Sequence, residues 1–222
     1  MRRFKEVVIE KTLMASAMVT ILVTIGIILV LSIEAFNFFS VVPIVDFFTD
    51  TQWTPLFTEK HFGILPLLSG TLLTSFIAIA FAVPVGLSIS IYISEYAPKS
   101  FRKTIKPALE LLAAVPTVVY GFFALTVVTP FLQTFIPGLS GFNSLSAGLV
   151  MGIMIIPTVA SLSEDAMSAV PDSLRQGSLA LGATKWQTIW KQVLPGSIAG
   201  ITTGVILALS RAIGETAPLI MV

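Results

Sequence analysis

Five apolar runs, each long enough to cross a bilayer, constrain what this chain can become. Between Thr12 and Ile33 lie 22 residues without a charge, and a hydrocarbon core needs about 20 residues of helix to cross it. A second uncharged run extends from Phe62 to Ser94 and contains Pro84. A third covers about Leu111 to Leu132, with Pro116 and Pro130 inside, and a fourth about Ser144 to Leu162, with Pro157. The fifth begins after Pro195 and continues to the end of the sequence. Backbone groups cannot stay unpaired in lipid, so a span is a helix or a strand of a closed barrel. Runs of this length give helices. The expected fold class is an all-α membrane protein, a polytopic helix bundle. Only 11% of the residues are charged, against about 25% in soluble domains. The first run is too long for the apolar part of a signal peptide and reads as a retained anchor.

The basic residues give an orientation. Arg2, Arg3, Lys5 and Lys11 precede the first run, Lys99, Arg102, Lys103 and Lys106 follow the second, and Arg175, Lys185 and Lys191 follow the fourth. The alternate loops hold Lys60 alone. Eleven against one is a strong positive-inside bias. It predicts a cytoplasmic N-terminus, cytoplasmic loops at 95–110 and 163–195, and outward-facing loops at 34–61 and 133–143. Five spans leave the C-terminus outside, and the fifth ends abruptly on apolar residues, so a sixth helix is expected beyond Val222.

Several chemistries are excluded. There is no cysteine, which removes thiolate catalysis and Cys-based metal sites. His61, the one histidine, reads as a loop or interface residue. No Ser/His dyad, aspartate pair or H-E-x-x-H occurs within a run, which counts against an intramembrane hydrolase. No G-x4-G-K-[ST] is present, so ATP phosphates are not cradled by that loop.

The 163–195 loop has an order of its own. Ser173 and Gln176 have capping-box spacing, Gly182 suits the left-handed residue that ends a helix, and Thr184 can cap a second helix. Trp186, Ile189, Trp190 and Val193 then fall on one helical face. The pattern predicts two short helices joined by a glycine hinge. A helix lying in the headgroup layer and a docking knob for a cytoplasmic partner fit it equally well.

The stretch LRQGSLALGATKWQTIWKQVLP, Leu174 to Pro195, resembles the cytoplasmic E-A-A loop of binding-protein-dependent ABC-transporter permeases. That pattern is E-A-A, three residues, Gly, nine residues, then I-x-L-P. Gly182, Leu194 and Pro195 match in register, Gln176, Gly177 and Ser178 replace E-A-A, and Gln192 stands at the Ile. The small second and third positions survive while the carboxylate does not. Three further stretches, at Gly70–Pro98, Glu110–Phe123 and Gly152–Pro195, and the outer Trp53-Thr54-Pro55, resemble the phosphate permeases of this family. SLSEDA and TVVYGFF look like the C-type subunit, whereas RAIGETAPL, Arg211 to Leu219, looks closer to the A-type ending. The larger number of stretches favours the C-type; the A-type, or a permease for sulfate or molybdate, is the alternative.

The resemblance implies the type I ABC importer permease fold: a first part at 1–61 with the N-terminal tail, first helix and outer loop, and a permease core at 62–222 with its coupling loop at 163–195. It implies a multi-pass protein of the bacterial cytoplasmic (inner) membrane. It implies contact of Gln176, Gly177, Ser178, Gly182, Ala183, Trp186, Leu194 and Pro195 with an ATPase. The expected partners are a second permease subunit, two ATPase subunits, an external phosphate-binding protein and the lipid bilayer, and no nucleic acid. No catalytic residue, cofactor or metal is expected in the chain itself.

Arg211 and Glu215 are the charges that remain inside the fifth run. At 1.5 Å per residue Arg211 lies about 24 Å from Pro195, around or somewhat beyond mid-depth. An intramembrane charge costs at least about 2.5 kcal/mol on insertion scales, so the pair must face protein or water. Either it fixes helix orientation or it lines the path of an anion, and the resemblance implies the second for both residues. Gly196, Gly200, Gly204, Ala208 and Ala212 form a small-residue stripe that reads as helix packing. Glu164 and Asp165 read as solvated helix-end residues, and Lys99 to Lys106 as topology charges near headgroups.

Overall fold

The computed structural model describes residues 2–215. It divides into two compact units, Met1–Leu67 and Leu68–Val222. Residues 216–222, which the fifth run included, lie outside the described residues.

In the first unit the apolar run becomes α1 (Arg2–Val41), longer than the uncharged segment at both ends. Its apolar window is exposed throughout. Thr12, Ser16, Thr20 and Thr24 each donate to the carbonyl four residues back, which satisfies four hydroxyls within the helix. Pro43 ends this course and caps α2 (Ile44–Thr49). Phe38, Phe39, Phe47, Trp53 and Phe62 meet edge-to-face at 5.3–6.1 Å. Thr54 N–H donates to His61 O at 2.9 Å, and Gly63 N–H to Gln52 O at 2.9 Å. A Cβ on Gly63 would stand 2.1 Å from Asp50 O, so the strap closes only over glycine.

In the second unit α3 (Leu65–Ile91) passes Pro84 without interruption and winds into a π-helical turn at Tyr92–Tyr96. The expected 95–110 loop is instead mostly helix: α4 (Lys99–Ala113) is amphipathic and ends at Ala114. The third run is thereby corrected. It does not begin at Leu111, because Pro116 disfavours helical backbone at Val115 and restarts the chain as α5 (Thr117–Phe123). A π-helical turn at Ala124–Val128 joins α5 to α6 (Thr129–Phe135). The helical stretch here that is long and apolar enough to cross a membrane is therefore Thr117–Phe135.

Helix α7 (Ser144–Ser168) is the post of the bundle, with 67% of its apolar window buried. Asn143 caps it by accepting from Ser146 N–H at 2.8 Å. Three glycine contacts bring α3 against it: a Cβ on Gly148 would stand 2.7 Å from Ile77 Cβ, one on Gly152 2.9 Å from Phe81, and one on Gly86 2.8 Å from Val159. On another side lies α10 (Leu194–Gly214), where a Cβ on Gly200 would stand 2.4 Å from Ala166 Cβ and one on Gly204 3.0 Å from Leu162. Ala208 and Ala212 complete the stripe inside the core with Met151, Met154 and Ile155. The stripe packs helices, as its spacing predicts.

The loop between α7 and α10 holds α8 (Asp172–Ala180) and α9 (Lys185–Thr188). Ser173 does not cap α8. Pro171, with φ −59°, takes the cap position two residues earlier, and Ser173 falls inside the first turn. Gly182 has φ +84° and Thr184 caps α9, both as the sequence predicts; the capping box falls there, with Gln187, and not at Ser173 and Gln176. The fifth span does not begin after Pro195: α9 runs through a π-helical turn at Ile189–Val193 straight into α10. Pro195 follows the π-helical turn directly, so its missing N–H falls where the regular ladder is already altered.

Candidate functional site

The glycine contacts set α10 antiparallel to α7, with Gly196 opposite Val170, Gly200 opposite Ala166 and Gly204 opposite Leu162. Continued at this register, Arg211 comes level with about Ile155, half-way along α7. Helix α4 approaches the same level from the same end. Arg102 and Lys106 meet Glu164 near the end of α7, while Leu109, Glu110 and Ala113 share the wall of a cavity of about 180 Å³ with Pro157, Thr158 and Ser161. The gap between α4 and α5 therefore opens at mid-span.

Arg211 is placed at that gap. Its Nη2 donates to Ala113 O at 3.2 Å, a carbonyl at the end of α4. The Tyr120 hydroxyl, from α5, donates to the neighbouring Leu112 O at 2.8 Å. Arg211 Nε lies 3.7 Å from Glu215 Oε1, and the two side chains are 33% and 19% exposed. The sequence placed Glu215 on the same helix; α10 stops at Gly214, and Glu215 is extended at φ −82°, ψ 114°. The end of α10 and the break between α4 and α5 thus meet at one depth around a guanidinium. Irregular backbone at membrane depth is tolerated where it lines a cavity or is buried in protein, and such breaks recur at transporter substrate sites. The break at Ala114–Pro116 was missed, although Val115-Pro116 is its local signal.

At the far end, the loop residues divide. Gln176, Gly177 and Gly182 are exposed, as are Pro195, Trp186 and Trp190, the two indoles at 54% each. Ser178, Ala183 and Leu194 are partly buried. Ser178 Oγ accepts from Thr188 Oγ1 at 3.0 Å and links α8 to α9. The single face expected for Trp186, Ile189, Trp190 and Val193 is split. Ile189 and Val193 are fully buried, while the tryptophans stack edge-to-face at 5.6 Å on the outside. The π-helical turn widens the helix there and takes the four residues out of simple 3.6-residue register.

Charged residues that the sequence reading set aside hold this end together. Glu164 is 1% exposed, not solvated; it pairs with Arg102 and, at 2.7 Å, with Lys106. Lys106 also meets Asp165 at 2.5 Å, and Ser168 Oγ donates to Glu164 at 2.8 Å. Arg102 and Lys106 are thus structural partners of α7. Arg175 pairs with Glu95 at 3.0 Å and donates to Met167 O at 2.7 Å. The two loops that the charge bias puts on one side are in direct contact through Arg175 and Glu95. No local pattern announces these pairs, whose members are 58 to 80 residues apart.

In the first unit His61 Nδ1–H donates to Asp50 Oδ2 at 2.7 Å. That hydrogen bond, helped by the Gln52 N–H, holds the Asp50 carboxyl below its ordinary value of 3.8. Asp46, Asp50, Lys60 and His61 share the wall of a cavity of about 540 Å³.

Residues 82–222 match the family described as binding-protein-dependent transport system inner membrane component. The whole chain is 36% identical over 223 aligned positions to the probable ABC transporter permease protein YqgH of Bacillus subtilis, 72% of which is covered. It is 39% identical over 189 positions to the phosphate transport system permease protein PstC of Mesorhizobium japonicum, covering 77% of this chain and 57% of the relative. It is likewise 39% identical to PstC of Haemophilus influenzae, covering 77% and 59%. The chain therefore spans less than two thirds of the length of these PstC relatives. Among solved structures it is similar to an inward-facing MetNI methionine ABC transporter, with a TM-score of 0.51, 21% identity and 68% of each chain covered. That likeness bears on the fold, which is that of type I ABC importer permeases.

Proposed function

Because the chain belongs to the binding-protein-dependent transport system inner membrane components, we propose that it is the C-type permease subunit of an ATP-driven phosphate importer. The observation that carries this reading is Arg211, held beside the break between α4 and α5 half-way along the bundle, with Glu215 3.7 Å away. A guanidinium offers a planar fork of donors that matches an oxyanion. Glu215 competes for that fork, so the anion is held weakly enough to leave. The PstC names of the relatives support phosphate among the oxyanions.

ATP hydrolysis belongs to separate subunits. Two of them, a second permease subunit and an external phosphate-binding protein complete the importer. The ATPase docks on α8 and α9, where Gln176, Gly177, Gly182 and Trp186 are exposed. Ser178, Ala183, Leu194 and Pro195 shape that knob. The basic ends of the spans then lie in the cytoplasm, with the N-terminus on the same side. Uptake of labelled phosphate by the reconstituted complex, challenged with sulfate and arsenate, tests the reading. Competition by arsenate with indifference to sulfate is expected; uptake of sulfate in place of phosphate contradicts the substrate.

A further inference from the structure

The docking loop is joined to the bundle unequally. Three residues separate α7 from α8, and α9 passes into α10 without a break. Both α7 and α10 therefore follow the loop through the chain itself. Helix α3 has no such connection. Its end turn, Tyr92–Tyr96, touches the loop through two cations: Arg175 of α8 grips Glu95, and Lys185 Nζ of α9 sits 4.6 Å from the centre of the Tyr96 ring.

Arg175 is the stronger of the two contacts. Its Nε and Nη2 donate to Glu95 Oε1 at 3.2 and 3.0 Å. The same guanidinium donates to Val170 O at 2.5 Å and to Met167 O at 2.7 Å, the latter also accepting from Val170 N–H at 3.2 Å, where α7 ends. Asp172 Oδ1, on its own helix, is a further acceptor at 3.2 Å. The Arg175 and Glu95 side chains are 16% and 8% exposed, so their pair is little screened by water. One side chain thus binds the end of α3, the end of α7 and the start of α8. Lysine, with a single ammonium, cannot match this geometry. The turn that carries Glu95 is π-helical, a form often found at functional positions.

We propose that Arg175, acting through Glu95, is the positioning residue that fastens α3 to the docking loop, so that displacement of α8 and α9 reaches three spanning helices and not two. The inference rests on the importer reading, in which an ATPase moves this loop. Without the pair, the loop carries α7 and α10 along the chain, while α3 follows only through its apolar packing on α7 and beside Val170 and Val193. ATP is then hydrolysed with little transport.

The test uses the complete importer in proteoliposomes and counts phosphate delivered per ATP hydrolysed, on assembled complex only. Glu95→Gln removes the charge while Arg175 keeps Asp172 and both carbonyls, so assembly and the ATPase rate are expected to persist. The ratio is expected to fall roughly five-fold or more, the lower end for coupled sites. Glu95→Asp keeps the carboxylate and recovers most of the ratio, and Arg175→Lys lowers it as Glu95→Gln does. A normal ratio in Glu95→Gln overturns the proposal. So does failure of Glu95→Gln to assemble while Glu95→Asp assembles, because the pair then holds the fold and not the stroke. A wild-type complex that hydrolyses ATP and carries sulfate instead contradicts the phosphate reading alone, and the ratio is then counted with sulfate. A wild-type complex that carries neither ion overturns both.

Discussion

Glu164 shows how far a side chain's surroundings can depart from its place in the sequence. Beside Asp165 at the end of an apolar run it reads as solvated, yet Arg102 and Lys106 bury it to 1% exposure. The difference is a partner some 60 residues away, which no local period reveals. Hydrogen bonds to charged groups contribute about 1.5–3 kcal/mol, and the cations here are about one third exposed, which favours the lower end. Glu164→Gln should lower the melting temperature of the purified chain, whereas Asp165→Asn, at a residue 57% exposed, should leave it nearly unchanged. Asp50 offers a pH-dependent case. Its carboxyl is held low by His61, so the contribution of the pair is complete above the ordinary value of 3.8 and is lost as pH falls through the lower folded value. His61→Gln removes the main cause of that shift. An acid titration followed by Trp53 fluorescence, with Trp186 and Trp190 replaced by Phe, should then show its transition at higher pH than with His61 present. An unmoved transition contradicts the role given to the pair.

At the scale of elements, glycines separate what the backbone requires from what packing requires. Gly182 has open space around it but φ +84°, so any Cβ there is strained by about 1–2 kcal/mol. Gly177 has equal space in an ordinary helical position, where alanine gains up to about 1 kcal/mol. Gly182→Val should therefore weaken ATPase capture in a pull-down, and Gly177→Ala should leave the loop's stability equal or raised. Gly200 is constrained from outside: its Cβ would meet Ala166 Cβ at 2.4 Å, and overpacking of this kind costs about 1–3 kcal/mol. Gly200→Leu should reduce the yield of folded protein in detergent. Gly182, Thr184 and the stripe of α10 were legible because each is written within a few residues. The start of the third span was not: Leu111 and Leu112 continue an apolar run while belonging to α4, and hydropathy does not register the change of helix at Pro116. The pattern at 186–193 misled for a related reason, since a π-helical turn shifts the faces that a period of 3.6 assigns.

The molecule as a whole joins a loop at one end to a charged break at mid-span. Helix α7 connects them, with the Glu164 and Arg175 clusters near its last turn and Pro157 beside the gap where Arg211 lies. The small-residue contacts that hold α10 on α7 fall on residues other than Arg211 and Glu215. The bundle can therefore keep its packing when the charges are removed. That independence separates a path residue from a residue that merely orients a helix. The decisive measurement is complex yield together with phosphate uptake for Arg211→Gln, Glu215→Gln and the double variant. The account predicts assembled complexes throughout, no uptake for Arg211→Gln and none for the double variant, because the path has lost its anion partner. Low yield in each single variant, with yield and uptake both restored in the double one, would contradict it and reduce the pair to a structural ion pair.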